Sequence, residues 1–202
     1  MKARHSKLKR EFYTRSVLKV ARELLGKIIV KNEHGVILSG KIVEVEAYDG
    51  VLDEAAHTFG GITERNKVMF GEGGFLYVYF TYGMHYCSNI VTGKKGRGTA
   101  VLIRGVEPIE GIEQMAKNRY SKTEITQKGK INLTNGPGKI CHAFDIGKRH
   151  YGIDLTGDYI FLLGQPNLKS KEIAASKRIG IRKSVHLPWR FYIKDNPFVS
   201  KK

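Results

Sequence analysis

Hydrophobic and polar positions recur with two different periods along the chain, and the changes of period divide it into helices and strands. Val17, Val20, Ala21, Leu24 and Leu25 repeat at helical spacing, with Ser16 before them and Gly26 after. This predicts a helix over about Ser16–Leu25, with a hydroxyl at its start and a glycine at its stop. Period two follows in Lys27–Lys31 and Val36–Tyr48, joined through Asn32-Glu33-His34-Gly35 as a hairpin. In the second of these strands Val43, Val45 and Ala47 point to one face, and Ile42, Glu44, Glu46 and Tyr48 to the other. Gly74–Ile90 reads as two strands broken at Tyr82-Gly83-Met84, and Ala100–Val106 as another. Pro108 opens a predicted helix whose apolar face is Ile109, Ile112, Met115 and Ala116.

The stretch Lys117–Asn135 is polar and basic and is expected to be mobile, and a short helix after Gly136-Pro137 carries Ile140, Cys141 and Phe144. Tyr159–Leu163, Ile179–Ile181 and Phe191–Ile193 are read as late strands. No internal repeat or linker divides residues 1–202, which are read as one domain with a basic tail over about 1–10. Hairpins outnumber strand–helix–strand units, so the class is α+β with a mainly antiparallel sheet.

Charge changes this picture more than composition does. Hydrophobic residues make up 41% of the 202, enough for a sizeable core, while 35 Lys and Arg against 19 Asp and Glu leave a net charge of +16. Such an excess favours phosphate backbones or anionic surfaces as partners. It is uneven: residues 1–40 hold ten basic against three acidic side chains, and 169–202 ten against two. Residues 41–60 reverse the sign, with Lys41 facing Glu44, Glu46, Asp49, Asp53 and Glu54. Carboxylates repel the polyanion that the remaining surface attracts, so this island is either a solvated loop or a place where a carboxylate performs chemistry. Two cysteines, Cys87 and Cys141, are too few for a disulfide framework. The first fifteen residues lack an uninterrupted apolar segment, and the uncharged stretch Gly73–Gly93 is studded with polar residues. The expectation is a cytoplasmic protein with no membrane span.

Glu44 and Glu46 lie two positions apart, a spacing that suits glycosyl chemistry if both face a cleft, and a solubilising stripe if they lie on an exposed edge strand. Tyr48 shares their face, His57 follows, and Tyr77, Tyr79, Tyr82 and Tyr86 crowd one stretch. Tyrosine and histidine in a basic surround stack nucleobases, although strands favour tyrosine in any case. Arg104, inside the apolar run Val101-Leu102-Ile103, is a partner for a buried carboxylate. His85, Cys87, Cys141 and His142 match no zinc module, and Gly71-x-Gly73-Gly74 and Gly136-Pro137-Gly138-Lys139 match neither phosphate-loop nor dinucleotide fingerprints. No metal and no cofactor is expected.

These residues resemble the alkyladenine (3-methyladenine) DNA glycosylase family. The motifs are Gly40-Lys-Ile-Val-Glu-Val-Glu46-Ala-Tyr48, Asp53-Glu-Ala-Ala-His57, Arg65-Asn66, Leu76-Tyr-Val-Tyr79, Tyr82-Gly-Met84, Asn89, Val101-Leu-Ile-Arg104, Gly105-Val-Glu-Pro-Ile-Glu-Gly111, Gly136-Pro-Gly-Lys139 and Arg190-Phe-Tyr192. They run in family order from about Phe12 to Ser200. The resemblance implies a curved sheet with flanking helices and a protruding hairpin that enters the minor groove of damaged duplex DNA. It implies a monomer that flips out alkylated or deaminated purines, of the 3-methyladenine, hypoxanthine and ethenoadenine class, and hydrolyses their bond to deoxyribose. By that resemblance Glu46 is the general base for a water. Arg104 and the backbone carbonyl of Ile181 position that water, and Tyr48 and Tyr79 sandwich the base beside His57. Asn89 crowds the exocyclic amino group of guanine, and Tyr82 fills the vacated space with Met84 beside it. His85 stands where the family commonly has an aromatic residue, and Thr81 is more polar than the pattern. Two other readings fit the residues alone: a non-enzymatic nucleic-acid-binding module, and a glycoside hydrolase using both Glu44 and Glu46.

Overall fold

Strand β2 organises the molecule. The structure, a computed structural model, describes residues 6–81 and 83–200. Its helices are α1 (Arg10–Tyr13), α2 (Val17–Leu24), α3 (Ile112–Tyr120), α4 (Gln127–Asn132) and α5 (Pro137–Ala143). Its strands are β1 (Ile28–Glu33), β2 (Val36–Asp49), β3 (Leu76–Thr81), β4 (His85–Thr92), β5 (Thr99–Glu110), β6 (Ile160–Leu163), β7 (Ile173–Ser176) and β8 (Arg190–Ile193). They form one curled, antiparallel eight-stranded sheet in the order β3-β4-β5-β2-β1-β6, with β8 joining β2 to β7. The first half of β2 pairs with β1 and its second half with β8, while β5 lies along its other edge. The β1–β2 hairpin closes through His34 and Gly35, both at positive φ, the backbone twist that matches flanking strands.

One face of the sheet carries the core. Val17, Val20, Ala21 and Leu24 of α2 are buried, as their period requires, and α2 packs on β2 and β5. Helix α5 covers β4 and β5 and supports α3, adding Ile140, Cys141 and Ala143 to the same cluster as Ile103, Val106 and Phe191.

The pattern misplaced several features. Val43 and Ile42 exchange faces relative to the expected alternation. The ladder to β5 slips between Ile42 and Glu44, Val43 is the extra residue, and Ile42 joins Val45 and Ala47 in the core. Pro108 does not start a helix. It extends β5 opposite Gly40, where the ladder is already irregular, and the helix begins only after Gly111 turns the chain at φ +74°. Ile179–Ile181 is a loop rather than a strand, with Gly180 at φ +78°, and the strand lies earlier, at β7. Within 117–135 the structure holds the end of α3, α4 capped by the Thr126 hydroxyl, and the buried Leu133 and Thr134. Of the basic tail, residues 6–10 are described: Lys7 bridges Leu163, and Arg10 begins α1 and pairs with Asp154. Among the described residues no helix is long and apolar enough to cross a membrane.

Candidate active site

On the face of β2 turned away from the core, Glu44, Glu46 and Tyr48 stand in a row, and the register slip decides what they meet. Between Glu44 and Val45 the ladder skips a residue on the facing strand, and that residue is Arg104. A bulge re-aims the side chain it carries. Here it turns a guanidinium out of an apolar strand and onto two carboxylates. Arg104 Nε lies 3.4 Å from Glu44 Oε1 and 3.4 Å from Glu46 Oε1, and its Nη1 is 3.5 Å from Glu46 Oε2.

Neither carboxylate belongs to an exposed edge stripe. β2 is an interior strand, and Glu44 and Glu46 are both 0% exposed. Their partners differ. Glu44 accepts from Arg190 Nε at 2.7 Å, from the Ser200 amide at 2.6 Å and from the Ser200 hydroxyl at 2.9 Å. Glu46 accepts from the Tyr48 hydroxyl and from the Ile179 amide, both at 2.8 Å. Burial pushes the Glu46 carboxyl above the ordinary carboxylate range, while Arg104, the Ile179 amide and the Tyr48 hydroxyl pull it back.

Beside this row opens a cleft of about 600 Å³. Tyr48, His57, Tyr79, Asn89, Arg104, Ile179 and Ile181 line it, together with Tyr77, Cys87 and basic side chains of the loop Gly180–Lys183. Glu46 is fully buried and does not itself line the cleft; it stands one layer behind, bonded to the lining residues Tyr48, Arg104 and Ile179. Tyr77 and Tyr79 stack with centroids 5.4 Å apart, and the His57 ring meets Tyr79 edge-on at 4.5 Å. His57 Nδ1 lies 3.0 Å from the Tyr77 hydroxyl. Burial, with Arg65 nearby, lowers the His57 pKa, so the ring is neutral at pH 7. Asn89 is buried and donates to the Tyr77 carbonyl at 3.2 Å.

The sequence-expected positions Glu46, Tyr48, His57, Tyr79, Asn89, Arg104 and Ile181 therefore converge on one place. The backbone group that touches Glu46 is the Ile179 amide, and Ile181 lines the cleft two residues on. Met84 is 66% exposed in the β3–β4 loop, and Tyr82 lies outside the described residues. Among the described residues no cluster of His, Cys, Asp or Glu is arranged to hold a metal.

A family model described as methylpurine-DNA glycosylase (MPG) matches residues 11–197. The chain belongs to that family. A relative from Clostridium novyi (strain NT) is 53% identical, with 97% of this chain and 99% of the relative aligned. A second, from Alkaliphilus oremlandii (strain OhILAs), is 51% identical over 97% and 100%. Both bear the description "Putative 3-methyladenine DNA glycosylase". As a methylpurine-DNA glycosylase family member, the chain is a DNA glycosylase, a hydrolase of N-glycosyl bonds that acts on damaged DNA.

Within this glycosylase, sequence reasoning missed a second buried pair behind the first. Arg178, fully buried, grips Asp53 through both terminal nitrogens, one at 2.7 Å from Asp53 Oδ1, and also donates to the Ala47 carbonyl at 2.9 Å. Its guanidinium lies over the Tyr48 ring, 4.5 Å from the centroid. The signal was present in the acidic island: Asp53 needed a cation, but nothing in the spacing named one 125 residues away.

Proposed function

We propose that this glycosylase everts an alkylated or deaminated purine from duplex DNA into the cleft and hydrolyses its N-glycosidic bond with a water activated by Glu46. The water is held between the Glu46 carboxylate and Arg104, with the Ile181 carbonyl as its third contact. As it attacks C1′ its proton passes to Glu46, and the electron pair of the breaking C–N bond leaves with the base. A base carrying positive charge departs neutral, so one carboxylate suffices.

A single observation carries this reading. One ionisable carboxylate, held by a tyrosine hydroxyl, an amide and an arginine, sits directly behind an aromatic cleft wide enough for a nucleobase. Glu44 supports it by contrast: Arg190 and Ser200, which bond its oxygens, do not line the cleft, whereas Tyr48 and Ile179, which bond Glu46, do, and this disfavours a paired-carboxylate glycoside hydrolase. In this reading the base stacks between Tyr48 and Tyr79, with His57 as a hydrogen-bonding partner. Asn89 rejects guanine by crowding its amino group. Met84, on the hairpin loop, and Tyr82 enter the minor groove and offset the cost of unstacking. The protein acts as a monomer.

Glu46→Gln is the decisive variant. On duplexes containing 3-methyladenine, hypoxanthine or ethenoadenine it is expected to lose base release by about 10²–10⁴-fold while binding those duplexes as tightly as the parent. Undiminished release sinks the mechanism, and a parent protein that releases no base favours a binding module.

A further inference from the structure

The ring of Tyr48 is contacted from two sides. It lines the cleft, whereas Arg178, 4.5 Å from its centroid, does not line the cleft and is fully buried. The guanidinium therefore covers the ring from behind. Asp53, the Ala47 carbonyl and the Ser184 carbonyl fix it there, and Trp189 stands 5.6 Å away on the same guanidinium. An arginine cannot shed its proton to relieve such a position.

The face of a tyrosine ring attracts a cation through its quadrupole. A permanent cation against one face draws that electron density backwards and repels any second cation arriving at the other. A base stacked in the cleft would stand roughly 8 Å from the buried guanidinium, about one Debye length at physiological salt. Purines damaged by alkylation or deamination divide into two electrostatic classes: 3-methyladenine and 7-methylguanine carry a positive charge as nucleosides, while hypoxanthine and ethenoadenine are neutral. The two classes feel the rear cation differently.

We propose that the Asp53–Arg178 pair is a specificity-determining element, which tilts excision away from positively charged bases and toward neutral ones by the charge it holds behind Tyr48. Asp53 limits the tilt by compensating most of that charge. The inference rests on the reading of Tyr48 as the surface on which an everted base stacks.

Two variants move the balance in opposite directions. Asp53→Asn leaves the cation uncompensated and is expected to lower the ratio of charged-base to neutral-base release. The double variant Asp53→Asn/Arg178→Met removes both charges while keeping side-chain volume, and is expected to raise that ratio. Each change should be about threefold or more, the scale of one cation–π contact. Replacing a buried ion pair by neutral groups strands no charge, so the double variant keeps the test alive if Asp53→Asn alone does not fold.

The measurement is the single-turnover rate of base release at enzyme excess, from duplexes carrying 7-methylguanine or 3-methyladenine on one side and hypoxanthine or ethenoadenine on the other. The inherent lability of each base cancels when a variant's ratio is divided by the parent's. Equal losses on all four bases mean that the pair only holds the fold together, and overturn the proposal. A parent enzyme that releases none of the four overturns the stacking reading instead.

Discussion

Glu46 shows how much of a residue's chemistry is set by the few atoms that touch it. Burial raises its pKa, and three donors lower it again. The Tyr48 hydroxyl is one of these, bonded at 2.8 Å. A hydrogen bond to the charged form favours that form, so Tyr48→Phe is expected to raise the Glu46 pKa while keeping the ring. As the proposed general base, Glu46 must be ionised to accept a proton, so activity is expected to be lost as pH falls through its pKa. The acidic limb of the rate profile should therefore move to higher pH in Tyr48→Phe, with the plateau rate close to the parent's. Single-turnover rates across a pH series check this, and an unmoved limb means the phenol does not tune the carboxylate. The residues of the site were legible because types and order survive in one dimension. Their pairings were legible only in part: Arg104 reads as a partner for a buried carboxylate, and only the slipped ladder shows that it answers two.

At the scale of elements, regular periods were readable and interruptions were not. Helix α2 and the β1–β2 hairpin follow directly from spacing and from His34-Gly35. Of the three extra residues in the β2–β5 ladder, the two at the site leave no mark in the pattern, because Val43 and Arg104 each fit a strand equally well in either register. Pro108 misled for a related reason: it suits the first turn of a helix, but it is tolerated in a strand where the ladder is irregular. Strand β7, only Ile173-Ala-Ala-Ser176, is too short and too weakly alternating to announce itself. The irregular ladder leaves little room. A Cβ on Gly105 would meet the Phe198 carbonyl oxygen at 2.8 Å and the Glu44 Cβ at 3.0 Å. Gly105→Ala is thus expected to destabilise the protein by roughly 1–3 kcal/mol. It should also push the final segment off Glu44, with a fall in base release larger than the stability loss alone explains. Urea unfolding beside single-turnover rates separates the two effects.

Across the whole molecule, the acidic island and the basic excess turn out to be one arrangement. Glu44, Glu46 and Asp53 are buried and answered by Arg104, Arg178 and Arg190, so they present no carboxylate stripe to a polyanion. The surplus that produces +16 is left largely to side chains at the surface. Arg182 and Lys183, exposed at the mouth of the cleft, belong to that surplus. Duplex affinity is expected to fall steeply with salt, and Arg182→Ala to reduce the slope of log affinity against log salt by about one. The loss should be the same on damaged and undamaged duplexes, as fluorescence anisotropy over a salt series can establish. A loss confined to damaged DNA would place Arg182 on the base rather than on phosphate.

The bond between Ser200 and Glu44 ties the last described stretch of chain to a strand made near the beginning. A variant cut back to just before Ser200 would still own every strand of the sheet, yet Glu44 would lack two of its donors and the Arg104 guanidinium would lose a brace. Such a chain would be blunted around its buried carboxylates before it was unfolded.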